Sequence, residues 1–320
     1  MNSPQTMHTI SINKFGGSEE LKPQDLPLPT LDANEVLIRV EYAGVGPWDP
    51  AELHGEFEQY KSEKSHFPYI LGSEGAGVIE AVGTNVKNFK IGDKVYASGF
   101  LNPKGGFYAE YVAIDEDLVF HVPKNLSLEQ AAVMSGVGIT ALRGIEDTLN
   151  LKPGECILIF GASGGIGHLA VQIAKRLKAR VVAVASGKDG VNLVSKLNPD
   201  VVLDGHSEDL VEQINQKIPD GLDAILLTAG GKQIKELFKC LKPQGRVVAP
   251  NGVTLPTETV PLVKTYDGNV EHEILERFHK MAESGKFEVH VSQIFPLEKV
   301  VDAHQALSEH HLGKLALKVH

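Results

Sequence analysis

Cys156-Ile157-Leu158-Ile159-Phe160-Gly161-Ala162-Ser163-Gly164-Gly165-Ile166-Gly167-His168-Leu169-Ala170-Val171-Gln172-Ile173-Ala174-Lys175 decides the fold. An apolar run of strand composition enters a tight glycine turn, and the turn opens directly into a helix with Ala170, Val171 and Ala174 on one side. A strand, a turn and a helix in that order present backbone N–H groups and a helix N-terminus to a dinucleotide pyrophosphate. Read as A-x-G-x-x-G, Ala162 makes the turn, Gly164 lets the backbone approach the phosphates and Gly167 lets the helix pack closely on the strand. Ser163, Gly165 and Ile166 complete the loop and join the candidate cofactor-binding residues. His168 and Leu169 stand where an ATP-type phosphate loop would carry Lys and Ser or Thr, which argues against that alternative.

Downstream, short apolar runs at 180–185, 201–203, 223–227 and 245–249 alternate with helical patterns at 191–197, 208–217 and 232–241. Strands separated by helices of this length predict a parallel sheet covered on both faces, a doubly wound α/β domain. Upstream the pattern changes. Residues 36–40, 75–82 and 93–96 are strand-like and punctuated by Gly, Asp and Pro, and few stretches sustain a helical period, so a compact, mostly β module is expected before the nucleotide domain. The tail is mixed, with helical patterns at 270–284 and 299–308 and a terminal strand at 314–319.

With 320 residues and 42% apolar composition, the chain is long enough for a sizeable core and is not of disordered type. A formal charge of −10 argues against nucleic acid or an anionic membrane as the main partner. The first residues lack the basic and apolar regions of a secretory signal, and no apolar run is long enough for a transmembrane helix, so a cytoplasmic protein is expected. Cys156 and Cys240, far apart in the chain, read as buried small hydrophobes in a reducing compartment.

Further stretches carry a family likeness. Leu71-Gly72-Ser73-Glu74-Gly75-Ala76-Gly77-Val78 through Val82-Gly83, with Phe89-Lys90-Ile91-Gly92-Asp93-Lys94-Val95, resembles the first-domain signature of the medium-chain dehydrogenase/reductase superfamily. Gly106-Phe107-Tyr108-Ala109-Glu110-Tyr111, Gly136-Val137-Gly138-Ile139-Thr140-Ala141-Leu142 and the ending from Ala303-His304-Gln305-Ala306-Leu307 to Gly313-Lys314-Leu315-Ala316-Leu317 resemble its later landmarks. The likeness is greatest to the zinc-free quinone oxidoreductase and enone reductase branch. It implies a GroES-like, mostly β catalytic domain (residues 1–124 and 286–320) completed by the tail, with an inserted Rossmann domain at 125–285.

The zinc branch would place a Cys near Gly46 and a His–Glu pair near 73–74, and here only Glu74 matches; a four-cysteine lobe is also missing. No metal is therefore expected. His272 and His279 read as solvated. An NAD enzyme usually has an acid about 20 residues past the glycine turn. The strand at 180–185 is followed instead by Ser186, Gly187 and Lys188, a hydroxyl and an ammonium suited to a 2′-phosphate, so NADPH is the expected cofactor. Asp189 nearby keeps NAD possible, and the tyrosine that related enzymes place after the third strand is Gly205 here.

The resemblance places Thr140 near the nicotinamide, and the loops carrying Thr228, Ala229, Asn251 and Gly252 follow strands at the ligand-binding edge of the sheet. In Gly46-Pro47-Trp48-Asp49, Pro47 and Asp49 match a family segment whose usual Asn is Gly46. Asp49 is a candidate catalytic residue, and Trp48, the only tryptophan, could wall a planar substrate or sit in the core. Tyr60 and Tyr69 bracket a loop expected to reach the substrate. Either hydroxyl could donate the proton after hydride transfer, Tyr60 standing as a candidate catalytic residue and Tyr69 as a candidate substrate contact, though packing tyrosines are the commoner case. These residues lead to a zinc-independent NADPH oxidoreductase acting on a quinone or an α,β-unsaturated carbonyl, by analogy a homodimer. The alternatives are an enone-specific reductase and an NADPH-binding protein of little turnover.

Overall fold

The computed structural model describes residues 5–61 and 64–320. The chain divides into two compact units, one formed by the chain up to Gly136 with Val270–His320, the other by Val137–Asn269. Residues 125–136 and 270–285, placed in the nucleotide domain by the sequence reading, belong here to the first unit. Hydrogen bonds to residues far along the chain tie these segments to the first unit. The Asn125 amide donates to the Gly285 carbonyl at 3.3 Å, the Gln130 amide donates to the Val289 carbonyl at 3.1 Å, and the Ser127–Gln130 capping box starts a helix within the first unit.

The first unit begins with β1 (Thr6–Ile12), β2 (Lys22–Pro27), β3 (Glu35–Val45), the short helix α1 (Trp48–Leu53) and β4 (Tyr69–Ile70). It continues with β5 (Glu74–Val82), β6 (Lys94–Ser98), β7 (Tyr111–Asp115), β8 (Val119–His121) and the single turn α2 (Leu128–Ala131). Helix α3 (Ser135–Leu142) leads into the second unit: β9 (Cys156–Phe160), α4 (Gly165–Arg176), β10 (Arg180–Ala185), α5 (Gly187–Ser195), β11 (Val201–Asp204), α6 (Leu210–Lys217), β12 (Leu222–Leu227), α7 (Ile234–Leu237), β13 (Leu241–Pro250) and β14 (Lys264–Tyr266). The tail adds α8 (His272–Glu283), β15 (Val291–Pro296), α9 (Val300–Ala306) and β16 (Lys314–Lys318).

In the first unit a seven-stranded sheet runs β15-β16-β3-β5-β6-β8 with β7 also paired to β3, and a smaller sheet runs β2-β1-β4. Strand β3 carries apolar residues on both faces, Val36, Leu37, Ile38 and Val40 all being buried, which suits a central strand. The tail returns to it: Leu315–Lys318 of β16 pair antiparallel with Tyr42–Val45 of β3. Helix α8 docks through His279, which is half-buried between Tyr96 and Phe120 with Nδ1 3.2 Å from the Tyr96 hydroxyl. His279 is thus a packing residue, contrary to the solvated role expected for it, while His272 is exposed.

All pairs in the six-stranded sheet of the second unit are parallel, in the order β11-β10-β9-β12-β13-β14. Strand β9, the run from Cys156, lies in its middle. The chain winds outward from β9 to β11, then returns to β12 on the other side of β9, so the order reverses between β9 and β12. Ligands bind beyond the carboxyl ends of the strands at such a reversal. Leu158, Val182, Val184, Ile225 and Leu227, from the three neighbouring strands β9, β10 and β12, lie in this core.

Candidate functional site

The nucleotide cradle of the second unit is assembled by backbone geometry. Gly161, directly after β9, has φ +83°, and a Cβ there would stand 2.7 Å from Thr228 Oγ1. That hydroxyl donates to the carbonyls of Phe160 at 2.8 Å and Gly161 at 3.1 Å, stapling the loop after β12 to the turn. A Cβ on Gly167 would lie 2.1 Å from the Gly161 carbonyl oxygen, so helix and strand approach as closely as they do only because this residue is glycine. Gly164 is the N-cap of α4 and offers its N–H groups no side chain. Its outer face is open, the nearest atom to a built Cβ being 3.5 Å away. The first N–H groups of a helix have no partner within it and carry the positive end of its dipole, so this surface fits a pyrophosphate.

Beside the turn a cavity of about 440 Å³ opens at the carboxyl ends of β9, β10, β11 and β12, lined by residues 160–161, 184–186, 205–206 and 229–233. Its size falls in the range of small-ligand sites. Of the residues expected to bind cofactor, Ser186 and Ala229 line it. Ser163 is buried, its Oγ accepting from the Ser186 N–H at 3.2 Å, and the N–H of Ala162 donates to the Val184 carbonyl at 2.9 Å, so both set the position of the β10 end. Thr140 on α3 is buried near Gly268, whereas Lys188, Asn251 and Gly252 are exposed; none of these four lines the cavity.

His206, Lys232 and Gln233 line the cavity without having been singled out from the sequence. His206 follows Gly205 directly, so extending the count past the strand at 201–203 by one residue would have found it. Among the described residues, no carboxylate lines the cavity. Asp204, at the end of β11, spends its Oδ1 on the N–H groups of Gly187 at 3.1 Å and His206 at 3.0 Å.

The first unit holds a buried polar cluster around α1. The Trp48 indole N–H donates to Ser73 Oγ, and Ser73 Oγ lies 3.5 Å from Asp49 Oδ1. The other Asp49 oxygen accepts from the Gly46 N–H at 2.7 Å. The Tyr108 hydroxyl is 3.1 Å from His304 Nε2 on α9. Burial pushes the Asp49 carboxyl up to about 7, against the pull of the Gly46 N–H, with Glu52 and Glu74 adding to the rise and Lys314 opposing it. Burial likewise pushes the His304 imidazole down to about 4 and raises the Tyr108 phenol.

Tyr69 and Tyr60 differ sharply in setting. The Tyr69 ring is buried, its hydroxyl donates to Glu52 Oε1, and the Lys61 ammonium sits 3.7 Å from the ring centroid and 3.9 Å from Glu52. Burial and the Glu52 charge raise the phenol well above its usual range, so this hydroxyl holds its proton in the carboxylate's grip. Tyr60 is 71% exposed on a turn of 3₁₀-helix, beside Phe57.

The residues at the expected zinc position do not fit a metal. Gly46 has no side chain, Ser73 is bonded to the indole, and Glu74 is occupied on both oxygens. Glu74 Oε2 accepts from Ser135 Oγ and the Gly136 N–H, each at 2.8 Å, and Oε1 pairs with the Lys314 ammonium at 3.0 Å. That ammonium lies 4.5 Å from the centroid of the Trp48 ring and would repel a second cation. Among the described residues no group of three His, Cys, Asp or Glu converges as a metal-ligating set.

Comparison with known proteins agrees with both units. Residues 32–124 match the alcohol dehydrogenase GroES-like domain and residues 165–266 the zinc-binding dehydrogenase family. A quinone oxidoreductase of Sus scrofa is 31% identical, with 97% of each chain covered. An Arabidopsis thaliana protein named NADPH-dependent alkenal/one oxidoreductase, chloroplastic, is 32% identical over 98% of this chain and 80% of its own. The solved quinone oxidoreductase of Coxiella burnetii superposes with a TM-score of 0.81 at 29% identity, covering 98% of this chain and 100% of its own. With the GroES-like unit, the Rossmann sheet and relatives of this identity along nearly its whole length, the chain belongs to the medium-chain dehydrogenase/reductase superfamily and is a pyridine-nucleotide-dependent oxidoreductase.

Proposed function

We propose that the chain is a zinc-independent, NADPH-dependent reductase that passes a hydride to a quinone or to the β-carbon of an α,β-unsaturated carbonyl. The observation that carries the cofactor choice is the cavity at the ends of β10 and β11, which has Ser186 and, among the described residues, no carboxylate in its lining. A carboxylate there would accept from a ribose 2′-hydroxyl and repel a 2′-phosphate. The acceptor class rests on the relatives named as quinone and alkenal/one oxidoreductases.

Bound NADPH supplies the hydride. Residues 162–167 hold its pyrophosphate, Ser186 and Lys188 its 2′-phosphate, and Thr140, Thr228, Ala229, Asn251 and Gly252 its nicotinamide side. In the first unit Trp48 walls the acceptor, and Asp49 fixes the segment that carries it through the Gly46 N–H and Ser73. The acceptor takes one hydride and one proton, and the exposed Tyr60 hydroxyl or water supplies the proton. Tyr69, bound to Glu52, shapes the acceptor side instead of titrating. The protein is proposed to act in the cytoplasm as a homodimer. The single-stranded edge of the nucleotide sheet at β14, with Val260 50% and Leu262 64% exposed just before it, supports self-association.

The test follows NADPH oxidation at 340 nm with a panel of quinones and enones, with and without a chelator, and repeats it with NADH. Chelator-insensitive turnover of a quinone or enone, faster with NADPH, is the expected result. Turnover confined to alcohol–aldehyde pairs, or lost on chelation, overturns the proposal. The alkenal/one relative supports a narrower reading, an enone-specific reductase, which predicts turnover of the enones and none of the quinones.

A further inference from the structure

We infer that His206, with Ser186, forms the anion-recognising edge of the cavity in the second unit and that this imidazole takes the cofactor's 2′-phosphate. The inference rests on the NADPH reading above and assigns its selectivity to a particular side chain. Both residues line the cavity, one on the turn after β11 and the other on the turn after β10, and Ser186 Oγ lies 3.4 Å from His206 Nε2. Two groups this close can donate to the oxygens of one phosphate.

The ring is held from behind. His206 Nδ1 is 3.6 Å from Asp204 Oδ1, the same oxygen that accepts from the N–H groups of Gly187 and His206. Nε2 is the ring nitrogen on the Ser186 side. The carboxylate itself is committed to bracing the two turns.

Gly205 makes the arrangement possible. A Cβ there would lie 3.2 Å from Val184 Cγ1 and 3.3 Å from the Ala185 carbonyl, so the β11 turn presses against the end of β10 and recognition passes to the next side chain. That side chain is 71% exposed and within reach of a ligand entering the cavity. The other charged groups nearby are Lys232 in the cavity lining, Lys188 on the first turn of α5, and Asp189, whose Oδ1 accepts from the Gly190 N–H. NADH, with a hydroxyl in place of the phosphate, would leave the imidazole in water and gain nothing from it.

The test is calorimetric titration of the full chain with 2′,5′-ADP and with 5′-AMP, probes that differ only in the 2′-phosphate. The native chain should prefer 2′,5′-ADP. His206→Asn should weaken 2′,5′-ADP about tenfold and leave 5′-AMP within about twofold, as expected for loss of a charge-assisted hydrogen bond. His206→Lys should restore the preference. Equal weakening of both probes, an unchanged preference in His206→Asn, or a Lys variant as weak as the Asn variant overturns the assignment while leaving the NADPH reading intact. If the native chain binds both probes alike, the NADPH reading fails and the assignment with it.

Discussion

Replacing Lys314 by Met should destabilise the first unit far more than loss of an ordinary ion pair. The Lys314 and Glu74 side chains are only 4% and 1% exposed, and their charged atoms are 3.0 Å apart. Methionine keeps the apolar length of the side chain over the Trp48 ring but removes the ammonium paired with Glu74. The carboxylate would keep its two 2.8 Å donors, Ser135 Oγ and the Gly136 N–H, which are neutral. Breaking a buried pair in this way costs about 3–5 kcal/mol, because the remaining charge stays out of water. At about 2–4 °C per kcal/mol for a unit of this size, the melting temperature should fall by roughly 6–20 °C. The sole tryptophan lies over the substituted position, so urea unfolding followed by its fluorescence reports on this unit. The double variant Lys314→Met/Glu74→Gln removes both charges, keeps an amide oxygen for the two donors, and should recover most of the loss. A single-variant cost below about 1 kcal/mol, the range of surface pairs, would refute the reasoning, as would a double variant that costs the sum of the singles.

Asp49→Asn tests burial of a titrating carboxyl. Its folded value of about 7 lies above the unfolded 3.8, so the stability it contributes is fully present below about pH 4 and lost as the pH rises through 7. The native chain should therefore lose up to about 4 kcal/mol relative to Asp49→Asn between pH 4 and pH 8, read from urea midpoints, and parallel curves would contradict this. Gly167→Val places a side chain where a Cβ already meets the Gly161 carbonyl at 2.1 Å; binding of NADPH, measured by cofactor fluorescence, should be lost or weakened at least about tenfold. Tyr69→Phe leaves the buried Glu52 without its phenol partner and should cost about 1–3 kcal/mol, whereas Tyr60→Phe, at an exposed position, should shift stability by less than about 0.5 kcal/mol. If Tyr60 supplies the proton, Tyr60→Phe lowers kcat without moving the unfolding midpoint.

Much of the fold was legible because strand and helix periods are local. The strand read at 180–185 is β10 to the residue, and those read at 201–203 and 223–227 are each short by one residue. The strand read at 245–249 begins earlier, at Leu241, because the parallel partner Leu222 extends the ladder across Pro243 and Gly245, where composition suggests a turn. The boundaries of the nucleotide domain were not local. Side-chain bonds from Asn125 and Gln130 to carbonyls some 160 residues away hold those segments to the first unit.

The sequence by itself determined the parallel sheet, the glycine turn and the absence of an acid at the end of β10, since each depends on neighbours a few residues apart. It also placed the mismatched residues Gly46 and Ser73 at the position of the zinc ligands. Only the tertiary structure decided what those residues do instead. Lys314, 240 positions along the chain from Glu74, supplies the positive charge beside Trp48 because β16 returns to pair with β3. In the second unit, Ser186 and His206 come together because parallel strands bring successive turns to one edge of the sheet. Charge pairing and ligand recognition act through space over a few ångströms, and pairing between distant strands sets those distances.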